Sequence, residues 1–239
     1  MLQKTPVFFD VDGTLVRGQT QEILVRYLYK KGKVKILFFI KIFLWFLLYK
    51  IGLVKNVFTI REKAFESFAG WDEAQFNAIV EECFNKEIKP RIFSEGLKLI
   101  QLHKKENYEI ILTSASLSNV VEVLREQIGT TFTLSTKLAI KNGRFTGKIS
   151  GLNAYGENKA KMAKELVHTN KMSLEGSYAY TDHISDLPLL ELVDNPVVVN
   201  PDRKLRKIAM KNNWKRISLI KGIPLNQVKI KNKKGLTVS

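Results

Sequence analysis

Short apolar runs alternate with amphipathic stretches along most of this 239-residue chain. Pro6 to Phe9 is a continuous apolar run of strand length, and it opens at once into the turn-forming Asp10-Val11-Asp12-Gly13-Thr14. Thr20 to Tyr29 has helical spacing, and residues 57–89 read as amphipathic helices punctuated at Gly70 and stopped by Pro90. From there helix and strand take turns. Glu95 to Glu106 predicts a helix, Tyr108 to Leu112 a buried strand, and Asn119 to Ile128 another helix. Thr131 to Ile140 and Arg144 to Ile149 predict two strands around Asn142-Gly143, a dipeptide suited to a tight hairpin. Lys159 to His168 predicts a helix, Ser177 to Tyr180 a strand, Asp186 to Val193 a helix and Pro196 to Val199 a strand.

Such alternation predicts an α/β fold: a doubly wound, Rossmann-like parallel sheet covered by helices. One helical block interrupts it. The expected organisation is therefore a core of residues 1–16 and 90–220, an α-helical cap of residues 17–89 inserted after the first strand, and a basic tail over 221–239. Val34 to Val54 within the cap is unusually apolar, broken only by Lys35, Lys41 and Lys50.

Composition changes this picture at two points. Lysine and arginine exceed aspartate and glutamate by 39 to 23, a net charge of +16 that favours anionic partners such as acidic lipid surfaces or phosphorylated metabolites. No aromatic-interleaved basic motif of a nucleic-acid reader is visible, so nucleic acid is not an expected partner. The single cysteine, Cys83, cannot form an internal disulfide and fits a reducing compartment; with no cleavable leader pattern, a cytoplasmic location is expected.

The candidate chemistry lies at the ends of predicted elements. Two carboxylates separated by one residue and followed by glycine, Asp10 and Asp12, can converge at a strand's C-terminal edge, which suits a magnesium ion, a phosphoryl group or both. The apolar strand Ile110-Ile111-Leu112 delivers the hydroxyls of Thr113, Ser114 and Ser116. Lys159 sits near the start of a helix, and the strand before Asp182 ends in two carboxylates four positions apart, Asp182 and Asp186. In a parallel sheet these tips face one crevice. They supply what phosphoryl transfer needs: a carboxylate nucleophile, an acid, a metal and clamps on the phosphate oxygens.

These four groups, DVDGT, LTSAS, Lys159 and TDHISD, resemble in order the four motifs of the haloacid dehalogenase superfamily of hydrolases. The helical cap between the first two looks like subfamily IB, the branch that includes phosphoserine phosphatase. The resemblance covers residues 5–16 and 90–202. It implies a magnesium-dependent phosphomonoester hydrolase (a phosphatase) working through an aspartyl-phosphate intermediate. Asp10 is then the nucleophile and Asp12 the general acid and base. Gly13, Thr14, Ser114 and Lys159 hold the phosphate, with Thr113 as the second choice for the hydroxyl. Asp10, Asp12 through its carbonyl, and Asp182 bind Mg2+, while Asp186 supports the metal's water shell or orients Lys159.

Plainer readings stand beside these. Ser114 could cap the next helix, and Asp182 and Asp186 could be a cap and a first-turn acid of one helix. His183 reads as a variable position in its motif, His103 and His168 as ordinary helix residues, Cys83 as structural, and Arg61 as a solvated helix residue rather than a substrate contact. One departure bears on substrate. Phosphoserine phosphatases carry a glutamate nine residues after the nucleophile that reads the substrate's amino group, and here that position is Gln19.

The apolar stretch 34–54 is barely long enough to span a bilayer, and a single crossing would part Asp10 from Ser114, Lys159 and Asp182. A buried helical hairpin and a segment dipping into an anionic membrane surface both remain open. Because the resembling subfamily includes lipid-active phosphatases, the expected substrate is a lipid headgroup phosphate, with a peripheral place on the cytoplasmic face of the membrane. The alternatives are a small soluble phosphate ester and a non-catalytic basic binding protein on the same scaffold.

Overall fold

The computed structural model describes residues 3–40, 44, 57–219, 230–231 and 237–238; residues 57–61 and the last two pairs are described by backbone alone. Seven strands form one sheet in the order β4-β3-β2-β1-β5-β6-β7. They are β1 (Pro6–Asp10), β2 (Glu109–Leu117), β3 (Phe132–Lys141), β4 (Arg144–Ser150), β5 (Tyr178–Thr181), β6 (Asn195–Val199) and β7 (Lys215–Ile217). All pairings are parallel except β3 with β4, whose hairpin turns through Asn142 and Gly143 at φ 51° and 72°. The expected α/β class and parallel sheet are what the chain adopts.

Strand periodicity explains how one sheet serves two cores. Val7 and Phe9, Ile110 and Leu112, Tyr178 and Tyr180, and Val197 and Val199 point to one face; Phe8, Ile111, Ala179 and Val198 point to the other. The first face is covered by helices from the block between β1 and β2. Leu24 of α1 (Thr20–Lys30), Phe65 of α2 (Val57–Glu66), and Phe76 and Val80 of α3 (Glu73–Cys83) all join its apolar cluster, as do α4 (Ser94–Lys105) and α5 (Ser118–Ile128). The second face is covered by α6 (Glu157–Thr169), the single turn α7 (Leu187–Leu190) and α8 (Arg203–Lys211).

Some elements depart from their sequence patterns. Strand β2 runs five residues past Leu112, because its hydroxyl-rich end pairs onward with β3 up to Leu117↔Thr136, across a register shift after Thr113. The helix expected over Asp186 to Val193 is a 3-10 turn, Ile184–Asp186, followed by α7, whose Pro188 lies in its first turn. Helix α8 and strand β7 had no counterpart. Only Leu205 and Ala209 of α8 are buried, too thin a stripe to register, although Asp202 accepting from the Lys204 and Leu205 amides is an N-cap legible in Pro201-Asp202. His103 is more than a helix residue. It is buried in α4, with Nε2 2.8 Å from the Tyr180 hydroxyl, and burial pushes its pKa down to about 3, so it is a neutral core group. Burial likewise pushes the Cys83 thiol up to about 12, which suits a structural residue. Residues 36–40 are helical. Most of the apolar stretch 34–54, the side chain of Arg61 and most of the tail 221–239 lie outside the described residues. Among the described residues no helix is long and apolar enough to cross a membrane.

Candidate active site

Strand β1 is central, and the chain leaves it for β2 on one side and later enters β5 on the other. The carboxyl ends of these strands therefore border a topological switch point, the place where open α/β sheets bind ligands. A cavity of about 250 Å³ opens there. Asp10 reaches it from the last residue of β1, Asp12 from the turn beyond, Ser116 from β2, Lys159 from the first turn of α6, and Asp182 and Asp186 from the segment after β5.

Two hydrogen-bond networks organise the floor. In the first, buried Lys159 places Nζ 2.8 Å from Asp10 Oδ1 and 2.6 Å from Asp186 Oδ2, and Asp186 Oδ2 also accepts from Thr181 Oγ1 at 2.8 Å. Burial alone would lower the lysine's pKa; Asp10 and Asp186 outweigh it and hold the ammonium above its ordinary value. Asp186 thus contacts Lys159 directly. In the second network, Asp12 Oδ1 accepts from the Thr20 amide, while Oδ2 accepts from Ser114 Oγ at 2.7 Å and Ser116 Oγ at 3.0 Å. Ser116 Oγ in turn accepts from Thr20 Oγ1 at 2.9 Å, and Ser114 Oγ from the Ser116 amide at 2.9 Å.

The remaining expected residues take different places. The Ser114 hydroxyl is buried and engaged with Asp12, and the β2 residues lining the cavity are Ala115 and Ser116. Thr14 and Thr113 are buried with hydroxyls that find no partner, away from the cavity lining. Gly13 does not line the cavity either; its role is space. It sits at φ +79°, and a Cβ there would fall 2.0 Å from Asp182 Oδ2. Thr20, Gln21, Tyr155 and Ser185 are polar residues at the site that sequence reasoning left without a role, and Ser116 was named only as one hydroxyl of its strand. A hydroxyl two residues after Ser114, on its own strand, was the available signal for Ser116. For Thr20, being the first residue of α1 carried none.

Carboxylates crowd this floor. Burial pushes Asp10 well above the carboxylate range; Asp186, Asp182 and Asp12 add to the rise while Lys159 opposes it. Burial, then Asp186, pushes Asp182 up to about 7. A site holding four carboxylates and one ammonium is short of positive charge, and its hard oxygen donors match magnesium. Among the described residues no three carboxylate, histidine or cysteine side chains converge tightly enough to enclose an ion.

Sequence and fold comparisons bear on the family. The chain is 38% identical over 157 residues to a protein of Mycobacterium tuberculosis named probable phosphatase Rv3661, covering 66% of this chain and 54% of that protein. The chain thus spans about half the length of this relative. It is 29% identical over 222 residues to a Mycobacterium tuberculosis protein named phosphoserine phosphatase SerB1, covering 87% of this chain and 68% of the relative. A solved structure of a Bordetella pertussis protein of unknown function shares the fold, with a TM-score of 0.82 at 23% identity over 90% of this chain and 99% of that one. A family model described as haloacid dehalogenase-like hydrolase matches residues 7–191, and the chain belongs to that family.

Proposed function

We propose that this protein is a magnesium-dependent phosphomonoesterase that works through an aspartyl phosphate on Asp10. The observation that carries the reading is the joint placement of Asp10 and Asp12 in one cavity, each held in a different network. Asp10 attacks phosphorus; a bond forms from its carboxylate oxygen while the bond to the leaving alkoxide breaks, and Asp12 gives that alkoxide its proton. Asp12, now a carboxylate, takes a proton from water as the water attacks the same phosphorus, releasing inorganic phosphate and restoring Asp10. Thr20, Ser114 and Ser116 fix the orientation of Asp12 through both steps. Lys159 neutralises charge beside Asp10. Asp10, Asp182 and the Asp12 carbonyl would hold magnesium, which when bound supplies charge neutralisation of the phosphate oxygens.

The mycobacterial relatives named as phosphatases support the reaction class. We further infer that the helical block 17–89 caps the site and presents it to lipid. Ile36, Leu37, Ile40 and Leu44 are each about half exposed or more, at spacings that share one helical stripe, beside exposed Lys33 and Lys35. In a chain of net charge +16 such a stripe suits an anionic bilayer, and the lone thiol suits its cytoplasmic face. The test is phosphate release with magnesium, comparing soluble phosphomonoesters with lipid phosphates in mixed bilayers and using Asp10→Asn as blank. Turnover chiefly on bilayer substrates is expected. Turnover chiefly on soluble esters would make the stripe a packing surface and the substrate a metabolite.

Gly13→Ala tests the metal side of the site. Its methyl group must displace the Asp182 carboxylate, so turnover should fall by about 100-fold, the scale of an ångström-sized misplacement in a catalytic site. Half-saturation by magnesium should shift upward in the same titration. An unchanged magnesium dependence would remove Asp182 from the metal site.

A further inference from the structure

A second cleft, of about 310 Å³, lies against α1 and is lined by Arg17, Arg26, Lys30 and Arg91 together with Glu22 and Glu87. We propose that this cleft binds a phosphate group that is not hydrolysed there, either free or on a lipid headgroup. The inference stands apart from the phosphatase reading, because the cleft shares none of the carboxylates of the catalytic floor.

Two separate parts of the chain bring these cations together. Residues 15–17 run alongside 91–93: the Arg17 amide donates to the Arg91 carbonyl and the Phe93 amide to the Leu15 carbonyl, both at 2.9 Å, and Val16 bridges Ile92. That backbone pairing holds Arg17 and Arg91 as neighbours although their charges repel. The other wall is α1, where Glu22, Arg26 and Lys30 recur every fourth residue and so share one face. Half-buried Ile23 and buried Tyr27 line the cleft beside them, and apolar walls of this kind focus the field of the cations.

The two carboxylates leave positive charge over. Glu22 pairs with Arg26. Glu87 is shared: Oε1 lies 3.4 Å from Lys30 Nζ and Oε2 lies 3.1 Å from Arg91 Nη1. Arg91, then Lys30, holds its carboxyl below the usual carboxylate range. The Arg17 side chain makes no hydrogen bond or ion pair with the described residues. An unpaired guanidinium among surplus cations matches a phosphate, whose oxygens fit the arginine fork. The catalytic floor has the opposite balance, four carboxylates to one ammonium, and repels phosphate unless a metal neutralises it. Metal dependence therefore separates the two sites. Both sources of phosphate have access. Tyr29, beside Lys30, packs edge-on against Phe39 with ring centroids 5.4 Å apart, which joins this wall to the exposed apolar stripe at Ile36, Leu37 and Ile40.

The experiment has two arms, both without magnesium. Inorganic phosphate is titrated into the full chain by calorimetry, and phosphatidylcholine vesicles with and without phosphatidylglycerol are used in a sedimentation assay. Wild-type protein should bind in at least one arm, and Arg17→Gln should bind about 5-fold more weakly there, the scale of one cation at an anionic surface. Arg17→Lys keeps the charge without the fork and should recover only part of that loss. Arg26→Gln, on the opposite wall, should weaken the same arm, so a folding defect in one variant does not decide the result. Lys207→Gln removes an equal charge from exposed α8, which covers the other face of the sheet, and should change binding less than about 2-fold. Loss in the first arm names free phosphate as the source, and loss in the second names a lipid headgroup. Equal losses for Arg17→Gln and Lys207→Gln would reduce the binding to general charge attraction and overturn the inference. So would wild-type binding in neither arm, or phosphate binding that appears only with magnesium. None of these outcomes touches the phosphatase reading, which is tested by turnover.

Discussion

Asp10→Asn abolishes phosphate release while leaving the protein folded. An amide nitrogen cannot attack phosphorus to form the acyl phosphate, so the loss should reach at least about 10⁴-fold, the scale seen when a covalent nucleophile is removed. The fold should survive because the replacement is isosteric and because Lys159 keeps Asp186 as a partner at 2.6 Å. It also removes one of the crowded carboxylates whose ionisation burial and like charges oppose. The check is a phosphate-release assay with magnesium, paired with circular dichroism and with acid-quench trapping of labelled acyl phosphate. Wild-type protein should trap label on Asp10. Asp12→Asn should slow both formation and decay of that species, because the same side chain serves as acid and then as base. Substantial turnover by Asp10→Asn would assign nucleophilic attack to water and end the covalent mechanism.

Lys159→Met produces the largest stability loss expected in the chain, and it takes activity with it. The ammonium lies between two buried carboxylates, and deleting it leaves Asp10 and Asp186 facing each other with no cation between them. Breaking a buried pair by removing one partner costs about 3–5 kcal/mol, because the abandoned charge stays desolvated. Urea unfolding at neutral pH without magnesium reads this as a lower midpoint at an unchanged slope. Adding Asp186→Asn to Lys159→Met should recover part of the loss, since the two residues share one network and their effects cannot add. A loss below about 1 kcal/mol would place Lys159 among exposed ion pairs, contrary to its burial.

Both predictions draw on residues legible in the sequence. Asp10, Asp12, Lys159, Asp182 and Asp186 stood out because each follows or opens a regular element, and a parallel sheet sends such positions to one edge. The partners that tune them were not legible. The family resemblance implies a phosphate ligand at Ser114; in the structure its hydroxyl donates to Asp12, and Ser116 lines the cavity. The register of β2 shifts between Thr113 and Leu117, where it pairs with β3, and no local sequence pattern announces that shift.

By itself the sequence determined most of the order of helices and strands, the parallel sheet, and the candidate site residues, because periodicity and turn chemistry are local properties of the chain. Tertiary structure alone decided what those side chains bond to. Thr20 meets Ser116 across 96 residues of chain, and Lys159 meets Asp10 across 149. It also decided that Gly13 is space for Asp182 and that His103 is a neutral partner of Tyr180. Contacts between residues this far apart depend on how the elements pack, and no local pattern records that packing.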